Sequence, residues 1–363
     1  MRRAAALRTY INRPPNLTHN TIISETAETA AQIRDKNTLH QDITLFQFLN
    51  MSSKDNSEAE DTSSCCCASC GTAENDDTKL KRCNACYLVR YCSVKCQKEH
   101  WSKHKKECKK RAAELRDELL FKQPESSYLG DCPICLIPLP LDGGNTIKPC
   151  CSKVICDGCD YTNLKREIEM GLKEASCPFC RKISPNTDEE GEKLMLKRVE
   201  ANDPVAMQVL GTQRINKGDY KGAFDYWTKA AKLGDVMSHY QLFCIHKNGH
   251  GVARDKKIEA YHMEKAAIGG HHIARFNLGC LEWENGRRDR ATKHWIIAAK
   301  LGHDNSLHNL KRMCELGAVN KEDFAAALRA YHATVDATKS PQREEAKEFD
   351  RTAPARFGPL GKN

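Results

Sequence analysis

Residues 67–108 read CASCGTAENDDTKLKRCNACYLVRYCSVKCQKEHWSKHKKEC, and the spacing of the cysteines and of one histidine decides the fold here. The pattern is Cys67-x2-Cys70, Cys83-x2-Cys86, Cys92-x3-Cys96 and His104-x3-Cys108. Two ligands so close in sequence reach one ion through a single tight turn, so each pair is half a site. Eight soft ligands suit two tetrahedral Zn2+ ions. A second run follows with Cys132-x2-Cys135, adjacent Cys150 and Cys151, Cys156-x2-Cys159 and Cys177-x2-Cys180, which offers eight thiolates and no histidine. Together the runs predict four zinc ions. Of the 20 cysteines, 17 lie between Cys65 and Cys180. A disulfide framework would need an oxidising compartment, and the first fifty residues lack the apolar core of a secretory signal. Catalytic cysteine is disfavoured as well, because these thiols are grouped for coordination rather than left free to attack.

At 363 residues the chain has room for two or three domains, and no run of eighteen apolar residues is present to span a membrane. The formal charge of +9 counts the ligand cysteines as neutral. Four zinc sites with fifteen thiolates contribute about −7, which leaves roughly +2. A global argument for nucleic acid therefore disappears, and what remains is the local basic stretch from Lys79 to Arg116. It would attract an acidic partner or phosphates, but it lacks the interleaved aromatics of a base-stacking surface and reads first as a solvated helix face.

The first run, with Tyr91-Cys92 and Gln97-x3-Trp101-x2-His104-x3-Cys108, resembles the MYND zinc finger. The resemblance implies interleaved sites: Cys67, Cys70, Cys92 and Cys96 on one ion, and Cys83, Cys86, His104 and Cys108 on the other. It further implies a peptide groove for proline-containing partners built with Gln97 and Trp101, though packing beside a ligand is an equal role for the tryptophan. A helix is expected from Val94 to Glu118. His100 lacks the ligand register of His104 and is read as an exposed helix residue.

Asp131-Cys-Pro-Ile-Cys135 and Ser176-Cys-Pro-Phe-Cys-Arg181 in the second run resemble a RING finger of the all-cysteine type. The cross-brace of that family implies Cys132, Cys135, Cys156 and Cys159 on one ion, and Cys150, Cys151, Cys177 and Cys180 on the other. Adjacent Cys150 and Cys151 depart from the usual Cys-x-His; both are taken as ligands because structural zinc is nearly always fully coordinated by protein. RING fingers of the ligase kind hold a ubiquitin-conjugating enzyme (E2), and Ile134, Pro178 and Arg181 match the contact positions. The tryptophan frequent before the last pair is missing, with Leu172 as a possible substitute.

From 203 to 336 the chain repeats. Ala-Ala-x-x-Gly recurs at Ala230, Ala266 and Ala298, at intervals of 36 and 32 residues. These periods indicate a solenoid of helix pairs. The second repeat, with Tyr240-Gln-Leu-Phe-Cys244, Asn248-Gly-His-Gly-Val252 and Glu264-Lys-Ala-Ala267, resembles the Sel1-like repeat, a relative of the tetratricopeptide repeat. Leu210, Phe224, Trp227, Leu233, Leu278, Trp295 and Leu301 fall on apolar faces at helical spacing and are assigned to the core. Cys244, Cys280 and Cys314 read as small core residues.

The predicted organisation is a disordered leader (1–64), a MYND-type finger (65–108), a helical linker (109–130), a RING-type finger (131–181), a Sel1-like solenoid (203–336) and a charged tail (337–363), disordered after about Glu345. The fold class is thus small zinc-stabilised modules plus an all-α solenoid. The favoured function is a RING-type ubiquitin ligase (E3) or ligase component, acting without covalent catalysis, with the MYND finger and repeats recruiting proteins. The alternative is a non-catalytic adaptor for proline-rich peptides. A MYND-containing lysine methyltransferase is set aside because no cofactor-binding SET motifs flank the finger. An intracellular location, cytoplasmic or nuclear, is expected; arginine-rich residues 1–24 leave mitochondrial targeting as the alternative, and Met51 as a second possible start.

Overall fold

The computed structural model describes residues 66–172 and 174–352. The readings made for residues 1–64 and for the end of the tail lie outside them. The chain divides into two compact units with a boundary between Lys122 and Gln123.

The first unit holds a two-residue antiparallel pair, β1 (Lys81–Arg82) with β2 (Arg90–Tyr91), and a 28-residue helix α1 (Val94–Phe121). Ser93 caps that helix by accepting the Cys96 N–H at 3.2 Å, which satisfies one of the donors a helix start leaves over. The helix outruns the predicted end at Glu118 by one turn. Cys96, His100, His104 and Cys108 stand four residues apart and so share one face. This corrects the reading of His100 as exposed. It is half-buried, its Nδ1 lies 3.1 Å from the Tyr91 hydroxyl, and its ring stacks on His104 at 5.8 Å.

The second unit opens with the second finger. Its hairpin pairs β3 (Asn145–Lys148) antiparallel with β4 (Lys153–Cys156), opposing Thr146 and Ile155, and α2 (Asp157–Glu169) starts directly from Cys156. After α3 (Asp188–Glu200) come eight helices in four antiparallel pairs: α4 (Pro204–Asn216) with α5 (Tyr220–Lys232), α6 (Val236–Asn248) with α7 (Lys256–Ile268), α8 (His272–Glu284) with α9 (Arg288–Lys300), and α10 (Asp304–Glu315) with α11 (Lys321–Ala337).

The repeat marker has a structural cause. Gly234, Gly270 and Gly302 end their helices at φ of 90°, 87° and 92°, a conformation costly for a residue with a Cβ. The next residue opens the following helix: Asp235 accepts the Ser238 N–H at 2.6 Å and His271 accepts the Ala274 N–H at 3.2 Å. Within the first and third pairs a tryptophan lies against a glycine. A Cβ on Gly211 would stand 2.4 Å from Nε1 of Trp227, and one on Gly279 2.4 Å from Nε1 of Trp295. The difference in period is explained by the loops: residues 249–255 join α6 to α7, and only 285–287 join α8 to α9.

Two expectations are corrected. Leu233, the residue after α5, is 51% exposed, whereas Leu301, at the same point of the third pair, is buried. The tail is helical through Thr352, for α12 (Pro341–Thr352) turns back and packs along α2. Among the described residues no helix is long and apolar enough to cross a membrane.

Candidate metal centres

Sixteen side chains converge in four groups: Cys67, Cys70, Cys92 and Cys96; Cys83, Cys86, His104 and Cys108; Cys132, Cys135, Cys156 and Cys159; Cys150, Cys151, Cys177 and Cys180. Within each group all ligand atoms lie within 4.8 Å of one another. These are the groupings that the two resemblances imply.

A tetrahedral zinc with Zn–S near 2.3 Å demands sulfur–sulfur separations of about 3.8 Å. The Sγ–Sγ distances are 3.6 Å for Cys70–Cys92, 3.6 Å for Cys92–Cys96, 3.8 Å for Cys83–Cys108, 3.9 Å for Cys132–Cys159, 3.7 Å for Cys135–Cys156 and 3.9 Å for Cys151–Cys177. Cys86 Sγ lies 3.2 Å from His104 Nε2. The spacing and the all-soft donor set identify zinc sites.

Four knuckles share one backbone device. In each Cys-x2-Cys pair the residue after the second cysteine takes a left-handed φ: Gly71 at 75°, Tyr87 at 58°, Leu136 at 57° and Arg181 at 63°. Its N–H donates back to the carbonyl of the first cysteine at 2.8–2.9 Å, closing the turn that aims both sulfurs at one point. The fifth pair, Cys156-x2-Cys159, is built differently, on the first turn of α2. Adjacent Cys150 and Cys151 reach a common site because Ser152 is left-handed (φ 57°) and its N–H, like that of Cys151, donates to the Lys148 carbonyl. Cys150 then faces Cys180 at 3.3 Å while Cys151 faces Cys177.

Electrostatics explain why a cation belongs there. A hydrogen bond from Cys86 draws the Cys83 thiol down to about 4 and pushes Cys86 up. Cys132 is drawn to about 4 by Cys156, and Cys177 to about 5 by Cys150, with both partners raised. Thiols this close cannot all ionise unless a multivalent cation offsets their repulsion.

The remaining predicted residues stand on the surface of the fingers. Ile134 is 40% exposed, Pro178 half-buried and Arg181 exposed. Leu172 is 52% exposed. Gln97 is half-buried, and Trp101, one turn on, packs against the first finger's core with its ring edge-on to His104 at 6.4 Å. Sequence reasoning missed two groups that touch the ligands. His100 could have been found from its four-residue step to His104; Arg343, whose guanidinium lies 3.6 Å from Cys135 Sγ, gives no local signal.

Comparison with known proteins agrees with this geometry. The MYND finger family matches residues 67–108, and that segment is a MYND finger, a protein-interaction module. Over 31 residues the chain is 58% identical to human histone-lysine N-methyltransferase SMYD3, covering 8% of this chain and 7% of that protein. It is 41% identical over 51 residues to SET domain and MYND-type zinc finger protein 6 of Schizosaccharomyces pombe, covering 14% and 11%, and 30% identical over 86 residues to chitin synthase regulatory factor 4 of the same yeast, covering 23% and 14%. The matches thus span at most about a seventh of those relatives. Among solved structures, a Sel1 repeat protein from Oxalobacter formigenes is 19% identical with a TM-score of 0.36, covering 55% of this chain and 86% of that one. The Escherichia coli antigen c5321, described as displaying an SLR fold, is 18% identical with a TM-score of 0.34, covering 48% and 37%. Those two likenesses are slight, and the solenoid stands on its own repeat geometry.

Proposed function

We propose that the chain is a RING-type ubiquitin ligase, or the RING-bearing component of one, in which segment 131–181 receives an E2 while the MYND finger and the solenoid recruit other proteins. The observation that carries this reading is the interleaving of the second finger's two four-cysteine sites, with Ile134 and Arg181 left at the surface on the knuckles of different sites. Zinc would hold the two loops in fixed relation, so that Ile134 and Pro178 offer an apolar seat. Arg181 would supply forked donors able to bridge the E2 and ubiquitin. The chemistry then lies in orienting a thioester toward an incoming amine, not in covalent catalysis by this chain. This activity belongs in the cytoplasm or nucleus, where E2 enzymes work.

The test is ubiquitin-chain assembly by the full chain with activating enzyme and a broad E2 panel. Chains should form and be suppressed by Arg181→Ala or Ile134→Ala. Silence across the whole panel would remove the ligase reading.

The second reading is a non-catalytic adaptor that grips proline-rich peptides. It is favoured by the half-buried Gln97 and Trp101, one turn apart on α1. Binding to a proline-rich peptide array should then be lost in Trp101→Ala, and binding unchanged by that substitution would sink it.

A further inference from the structure

Arg343 is 4% exposed. A buried guanidinium needs both hydrogen-bond acceptors and a counter-charge. Its acceptors are three carbonyls, those of Pro138 at 2.6 Å, Thr338 at 2.6 Å and Ile137 at 3.0 Å, with Cys135 Sγ at 3.6 Å. Among the described residues no carboxylate lies within ion-pair distance of it. The negative charge beside it is the group Cys132, Cys135, Cys156 and Cys159, and four thiolates around one Zn2+ carry a net charge of about −2.

The helix that delivers Arg343 is fixed in place. A Cβ on Gly158, the residue before ligand Cys159, would stand 2.8 Å from the backbone nitrogen of Arg343, so α12 approaches α2 as closely as a glycine allows. Farther along, Tyr161 meets Phe349 at 4.9 Å and Lys165 pairs with Glu345 at 2.8 Å. The carbonyl of Ile137 that Arg343 engages also accepts the Cys132 N–H at 3.0 Å. The arginine therefore braces the turn that aims the first two sulfurs.

We infer that α12 is a structural member of the second finger, and that Arg343 is a positioning residue which orients the Cys132–Cys135 knuckle and balances the charge of its zinc–thiolate site. The finger so built is discontinuous, closed by a segment 208 positions beyond Cys135. The inference holds whether or not the finger transfers ubiquitin, because Ile134 stays exposed with α12 in place.

The test is zinc retention by the full chain under chelator competition, followed by native mass spectrometry, with the freed thiols mapped by alkylation. Outer residues that touch metal ligands typically control affinity by about 10- to 100-fold. Arg343→Met should weaken one zinc of four by about that factor, with alkylation confined to Cys132, Cys135, Cys156 and Cys159 and an unchanged helical circular dichroism spectrum. Arg343→Lys keeps the charge and loses the fork, so it should weaken the same zinc by less. Wild-type retention in both variants, or equal loosening of all four sites, would overturn the assignment. If the methionine variant does not fold, the lysine variant decides alone: selective loss supports the inference and wild-type retention refutes it.

Discussion

The fingers and the solenoid solve the same problem by opposite means. The fingers are held at sixteen ligand positions, with strands of two and four residues and little apolar core. The solenoid has no such fixed points. It buries Ala230, Ala266, Ala267, Ala298 and Ala299 completely at helix crossings, so its stability is spread over many small contacts. A metal site fails at a single position, whereas a stack of helices loses stability by degrees.

Stripping the metal should have the largest effect, since structural zinc contributes about 10–16 kcal/mol to folding in small modules. A strong chelator should collapse both fingers and leave most of the helical circular dichroism signal, with the solenoid still melting cooperatively. A solenoid that unfolds together with the fingers would break the comparison.

A core deletion should do the reverse. Trp227→Ala empties the space against Gly211 and removes the indole hydrogen bond to the Gln208 carbonyl. It should cost about 3–5 kcal/mol, seen as a lower melting temperature of the repeats at undiminished zinc content.

Acid sharpens the contrast further. Burial holds His239 down at about 4 and His262 at about 3, and their Nδ1 atoms lie 2.9 Å apart. Unfolded histidines protonate near 6.5, so between that pH and about 4 the unfolded chain binds more protons, and stability falls as the pH drops. The expected loss is on the order of a few kcal/mol, followed by tryptophan fluorescence in denaturant, and His262→Gln should flatten the dependence. An unchanged slope would show that these histidines are not the protonating groups.

The smallest effect separates support from function within one knuckle. Arg181 holds a left-handed φ that glycine adopts at little cost. Arg181→Gly relieves about 1–2 kcal/mol of left-handed backbone against about 0.5–1 kcal/mol of added unfolded-state freedom, so it should leave the second finger slightly more stable in chemical denaturation while abolishing ubiquitin transfer. Full transfer by this variant would end the proposed role of the guanidinium.

The ligands were legible in the sequence because their chemistry is local: two residues between cysteines leave few ways to bend. The repeats were legible through Ala-Ala-x-x-Gly, which records a helix crossing followed by a left-handed turn. What escaped was either a matter of helical phase or nonlocal. His100 was judged without its step of four to His104, and Leu233 was placed inside by its likeness to Leu301, which is buried at the same point of its own repeat. The helical tail was missed because Pro341–Thr352 is mostly charged and shows no core of its own. Its docking depends on the bare Cα of Gly158 and on acceptors around Cys135, none of which is marked near Arg343.

That docking also sets a schedule. Cys159, the last ligand of the braced site, precedes Arg343 by 184 positions (343 − 159), which at about 5–20 residues per second take about 9–37 s to synthesise. During that interval the newborn finger exists without its brace, exposed to whatever competes for its zinc, and it matures only after Arg343 has emerged.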